Sequence, residues 1–120
     1  MLSLNSIMIG TKQFKTLAAY YEKVIGKPPD MVEAESGFVG WQVGNGYLGV
    51  LEHSEMGGGA KEPGRVMINF ETTQVQEEFD RIKTLGGKVI KAPYKMGEGQ
   101  IATLADPDGN YFQLMTPMQM

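Results

Sequence analysis

The chain opens on an alternation. In MLSLNSIMIG, Leu4, Ser6 and Met8 fall on one side of an extended backbone and Asn5, Ile7 and Ile9 on the other, which predicts a strand. The period then lengthens. In FKTLAAYYEKVIG the apolar Leu17, Tyr20, Tyr21 and Val24 recur at three- and four-residue spacing, as in a helix with one buried stripe, and Gly26 with Pro28 and Pro29 supplies its stop. Between Met31 and His53 the pattern reads as three short strands, MVEAES, VGWQV and YLGVLEH, the last two separated by the turn signal Asn45-Gly46.

The Gly-rich stretch SEMGGGAKEPG reads as a linker over residues 54–63, and the order starts again at RVMINFE. Thr73 and Gln76 predict a capping box for a second helix, whose buried stripe is Val75, Phe79, Ile82 and Leu85 and whose end is Gly86-Gly87. Strands follow at KVIKA, QIATLA and NYFQLM. Ser6 precedes Tyr20 by the same spacing as Arg65 precedes Phe79, so the chain reads as an internal duplication, with modules at about 1–53 and 64–120. One helix covers only one face of a small sheet. Two such modules are therefore expected to pair within one α+β domain and to enclose a concave ligand pocket.

Composition narrows the function. A net charge of −3 with scattered Lys and Arg gives no basic footprint for nucleic acid or for an acidic membrane surface. Without Cys there is no disulfide framework, thiolate metal site or cysteine nucleophile. No basic leader with a cleavage site is visible, and no apolar run approaches the ~18 residues of a membrane span, so a cytoplasmic location is the expectation.

The duplicated strand-helix-three-strand unit, the helix endings YYEKVIG and IKTLGGKV, and above all LADPDGNYFQLM resemble the vicinal oxygen chelate superfamily, which includes glyoxalase I, bleomycin-resistance proteins, methylmalonyl-CoA epimerase and extradiol dioxygenases. The resemblance implies two βαβββ modules in tandem and, for metal-dependent members, one ligand on the first and one on the last strand of each module. Carried onto this chain, those positions are Ser6, Gly49, Arg65 and Gln113, with Leu51 as the alternative to Gly49 if the strand slips by two. A hydroxyl, a glycine, a guanidinium and an amide are a poor donor set for a first-row divalent ion, so neither metal nor other cofactor is expected.

The remaining candidates follow from strand parity. Met8, Tyr47, Gly49, Leu51, Met67, Tyr111, Gln113 and Met115 share the faces turned from the helices, and Trp41 joins them with its orientation open. His53 reads either as part of a solvated strand end or as an acid or base at the pocket mouth. Arg65 reads either as a strand-end arginine paired with a carboxylate such as Glu98, or as a contact to an anionic or carbonyl group. Gly97 and Gly99 around Glu98 suggest a mobile loop with a lid as one use, and Asp106 and Asp108 read as turn formers. The expected function is metal-independent binding of a small, partly aromatic molecule, neutral or anionic, by a homodimer. The alternative is a glyoxalase-like lyase, an epimerase or a dioxygenase-related enzyme.

Overall fold

The computed structural model describes residues 1–117. Two compact units, Met1–Gly58 and Gly59–Met120, each hold one helix and a four-stranded sheet. Unit one runs β1 (Ile7–Thr11), α1 (Phe14–Ile25), β2 (Met31–Glu33), β3 (Phe38–Val43) and β4 (Gly46–Glu52). Its strand order is β1-β4-β3-β2, with β1 parallel to β4 and the other pairs antiparallel. Unit two repeats this with β5 (Ile68–Glu71), α2 (Val75–Ile82), β6 (Lys88–Met96), β7 (Gly99–Ala105) and β8 (Tyr111–Met115), in the order β5-β8-β7-β6. These are the α+β βαβββ modules that the sequence pattern predicts.

Each unit has its own core, built where the two periodicities meet. The α1 stripe of Leu17, Tyr20, Tyr21 and Val24 is buried together with Val39, Trp41, Leu48 and Val50, alternate residues of β3 and β4. In unit two Val75, Phe79 and Ile82 of α2 are buried with Ala102, Leu104, Phe112 and Leu114. Phe70 meets Phe112 edge-on at 5.9 Å between centroids. We call the sheet side away from the helix the far face of its module.

The helices start and stop by local chemistry. Thr11 Oγ1 accepts the backbone N–H of Gln13 at 3.0 Å, and Thr72 Oγ1 accepts that of Gln74 at 3.0 Å, so a threonine two residues before the N-cap residue of each helix turns the chain in both modules. This replaces the expected Thr73–Gln76 capping box, and Gln76 instead donates to Asp80 along the helix surface. Helix α1 ends as predicted: Gly26 sits at φ 86° and its N–H closes on Glu22 O at 2.8 Å.

Two turns differ from expectation. Val43 pairs with Gly46, so the β3–β4 loop consists of Gly44, at φ 58°, and Asn45; the turn lies one residue before Asn45-Gly46 because glycine supplies the positive φ at its first position. Likewise Met96 pairs with Gly99, which leaves Gly97-Glu98 as a two-residue hairpin turn too short to serve as a lid. The DPDGN turn is tightly bonded. Asp106, 3% exposed, accepts the N–H groups of Asp108 and Asn110 at 2.9 and 3.0 Å through Oδ1, and Asn110 Nδ2 reaches Oδ2 at 3.0 Å.

Candidate ligand-binding faces

On the far face of the first module, two glycines stand opposite each other: Gly40 of β3 pairs with Gly49 of β4, and Met8 of β1 lies across from Gly49. Their missing side chains let two rings lie over the sheet. A β-carbon on Gly49 would stand 2.8 Å from Cε1 of Phe38, and one on Gly40 would run into the Tyr47 phenol. The Tyr47 hydroxyl is buried and makes no hydrogen bond among the described residues. Farther along, the His53 and Met56 side chains cover Gly10, and His53 Nδ1 accepts the N–H of Glu55 at 3.3 Å. This face therefore presents Phe38, Tyr47, Met8, Leu51 and His53 as an aromatic and thioether surface.

The far face of the second module is polar at its centre. Asn69, Gln113 and Thr103 are partners across β5, β8 and β7, and Gln113 Nε2 donates to Thr103 Oγ1 at 3.0 Å. Tyr111 lies on one side of this row and Met115 on the other. The ring of Tyr111 and the segment Glu62, Pro63, Gly64 and Arg65 line an open depression of about 390 Å³.

Three expectations need correcting. Trp41 pairs with Leu48, is fully buried on the helix side, and donates its indole N–H to Lys27 O at 3.1 Å; it belongs to the core, since its ring and the Tyr47 ring point to opposite faces. Arg65 is not on a strand. It lies in the turn before β5, its N–H bonded to Glu62 O and its guanidinium paired with the Glu62 carboxylate, and its side chain is 74% exposed. Glu62, not Glu98, is its partner because the turn brings them within reach.

The third concerns the duplication itself. With Thr11 and Gln13 matching Thr72 and Gln74, and Met8–Gly49 matching Asn69–Gln113, the counterpart of Ser6 is Met67, two residues beyond Arg65. Aromatic spacing misled here because the two helices bury different positions of their stripes.

Sequence reasoning also missed Phe38 and Thr103. Phe38 opens its strand and could have been found by pairing it with Leu51. Thr103 is legible only once β7 and β8 are set in register.

The glyoxalase-like domain family matches residues 6–115. The chain belongs to the glyoxalase-like family. Its fold is that of the vicinal oxygen chelate superfamily, as the solved structures show. A mutant of the fosfomycin resistance protein FosX from Listeria monocytogenes, complexed with Mn(II) and a dihydroxypropylphosphonic acid, superposes with a TM-score of 0.79 at 20% identity, covering 98% of this chain and 92% of that one. FosX from Mesorhizobium loti gives 0.76 at 16% identity over 98% and 94% of the two chains. A glyoxalase/bleomycin resistance protein from Catenulispora acidiphila gives 0.72 at 20% identity over 97% and 100%. No curated protein matches the sequence.

The four strand positions at which the resemblance places metal ligands hold no usual ligand in this chain. Corrected for the two-residue slip, they hold Ser6, Gly49, Met67 and Gln113. Gly49 has no side-chain donor atom and its space is taken by Phe38, while Gln113 offers only a neutral amide oxygen, its Nε2 donating to Thr103 Oγ1. Among the described residues, no three His, Asp or Glu side chains are grouped so as to hold an ion. A hydroxyl, a thioether and an amide do not fit a divalent first-row metal, which favours imidazole and carboxylate oxygen.

Proposed function

We propose that this glyoxalase-like protein binds a small, partly aromatic organic molecule without a metal ion. The observation that carries the reading is the Tyr47 hydroxyl, buried over Gly40 and unpaired among the described residues. A buried phenol without a partner costs about 1–3 kcal/mol, and such groups in native proteins are generally satisfied by water or ligand. The rings give a flat apolar surface and the phenol one directional contact, the usual make-up of a small-molecule site. The donor chemistry of Ser6, Gly49, Met67 and Gln113 supports the metal-free part.

Two measurements test this. Elemental analysis after dialysis is expected to find no stoichiometric nickel, zinc, manganese or iron. A thermal-shift screen should find stabilisation by aromatic metabolites and none by those ions. One bound ion per chain with no response to any aromatic would instead favour the lyase, epimerase or dioxygenase-related reading.

The molecule is further proposed to act as a cytoplasmic homodimer. The apolar Met8, Met31 and Val32 remain 52–62% exposed on strands of the first module, surface that a second copy would cover. A sedimentation mass of one chain at micromolar concentration would overturn this. No helix among the described residues is long and apolar enough to cross a membrane.

A further inference from the structure

The sequence KVIKAPY places Lys88, Lys91 and Tyr94 at three-residue spacing, which in a regular strand would put Lys91 on the face opposite the other two. In β6 it does not. Lys88 pairs with Ala105, Lys91 with Thr103 and Tyr94 with Ile101, so the register shifts once between Val89 and Lys91 and again between Lys91 and Tyr94. Ala105, Thr103 and Ile101 are alternate residues of β7 on the far face. Two irregularities thus bring both lysines and the tyrosine to that same face. The Lys91 ammonium lies 4.3 Å from the centre of the Tyr94 ring. Strand bulges are a recurrent device for re-aiming side chains at functional sites.

Lys91 thereby extends the polar row to the full width of the sheet: Lys91, Thr103, Gln113 and Asn69 stand side by side on β6, β7, β8 and β5. Lys88 stands in the neighbouring row with Ala105 and Tyr111. Among the described residues, Lys27, Arg65, Arg81 and Lys83 are paired with carboxylates. Lys88 and Lys91 have no such partner among the described residues. Glu71, an acid on this face, lies on β5 at the opposite edge, about 14 Å away at the spacing of three strands.

We propose that the far face of the second module is a subsite for a small organic oxyanion, a carboxylate or phosphonate. Lys88 and Lys91 supply its charge contact, and the Thr103–Gln113 pair with Asn69 reads its hydrogen-bonding atoms. Two lysines in neighbouring rows of one face suit an oxyanion, and the exposed faces of Tyr94 and Tyr111 suit an apolar body. This subsite rests on the metal-free reading of the fold but not on the Tyr47 contact.

The test titrates the ¹⁵N-labelled full chain with benzoate, phenylphosphonate and the neutral benzamide. At least one anion is expected to shift amides of β6, β7 and β8 and to bind about tenfold more tightly than benzamide, the ordinary advantage of a charge-assisted contact. The Lys88→Gln/Lys91→Gln variant should abolish that preference. Lys95→Gln, on the same strand but paired with Gln100 of the other face, should keep it. A stronger benzoate assigns a carboxylate ligand, and a stronger phenylphosphonate a dianion.

Equal binding of benzamide, or equal losses from the Lys95 variant and the double variant, would overturn the proposal. Shifts confined to Phe38–Leu51 would overturn it while sparing the first-module reading. Silence on both faces would overturn both.

Discussion

Single atoms decide most at Gly49 and Tyr47. A β-carbon at Gly49 would stand 2.8 Å from the Phe38 ring, too close unless the ring moves. Gly49→Ala is therefore expected to cost about 1–3 kcal/mol in chemical denaturation, and adding Phe38→Leu should recover part of it by making room. A Gly49→Ala protein as stable as the parent would show that the ring moves freely. Tyr47→Phe is a different case because the hydroxyl it removes has no partner among the described residues. The variant should fold at least as stably as the parent, by the asymmetry that favours deleting an unsatisfied polar group, yet bind an aromatic ligand about five- to tenfold more weakly. If it instead loses stability by 1 kcal/mol or more, the phenol has a structural partner and the ligand assignment fails. Asp106 shows the reverse economy, since three N–H donors converge on one buried carboxylate. Asp106→Ala should cost at least about 2 kcal/mol.

Elements were readable to the extent that their signals were local. The period change from two to three and four marks both helices, and Gly26 ends α1 where its freedom at positive φ is needed. What escaped was register. Arg65 looked like the partner of Ser6 by aromatic spacing, whereas the Thr-to-Gln turns and the strand pairs select Met67. Trp41 could not be oriented from a short run in which both neighbours, Gly40 and Gln42, fit either face. The bulges of β6 escaped although Pro93, which cannot donate to a strand ladder, lies within the second of them, so Lys88 and Lys91 drew no notice. One tie between elements carries a pH signature. The backbone N–H of Gln42 at 2.6 Å, and then the Lys27 ammonium at 3.0 Å, hold the Asp30 carboxyl below its ordinary value, linking the end of α1 to β3. A lowered folded pKa stabilises above the unfolded value, and that contribution is lost as pH falls through the folded one. Asp30→Asn should therefore be less stable than the parent at neutral pH and indistinguishable from it once acid has titrated Asp30. A gap that widens in acid would contradict the linkage.

For the molecule as a whole, the order of elements and the family were written in the duplicated pattern and in DPDGNYFQLM, because fold follows from periodicity and turn chemistry. The ligand was not, because it depends on which side chains share a face. The absence of suitable donors at Ser6, Gly49, Met67 and Gln113 has a consequence that can be measured without knowing any ligand. An ion resident at a hundred times its dissociation constant would stabilise the native state by about 2.7 kcal/mol. In a chain of 120 residues each kcal/mol moves Tm by about 4 °C, so stripping such an ion would lower Tm by about 10 °C. Adding EDTA to freshly purified protein is expected to move Tm by less than about 1 °C, an order of magnitude below that. A drop near the larger figure, reversed by restoring one particular metal, would mean that donors outside these four positions hold an ion, and the metal-free reading would give way to a metal-dependent one.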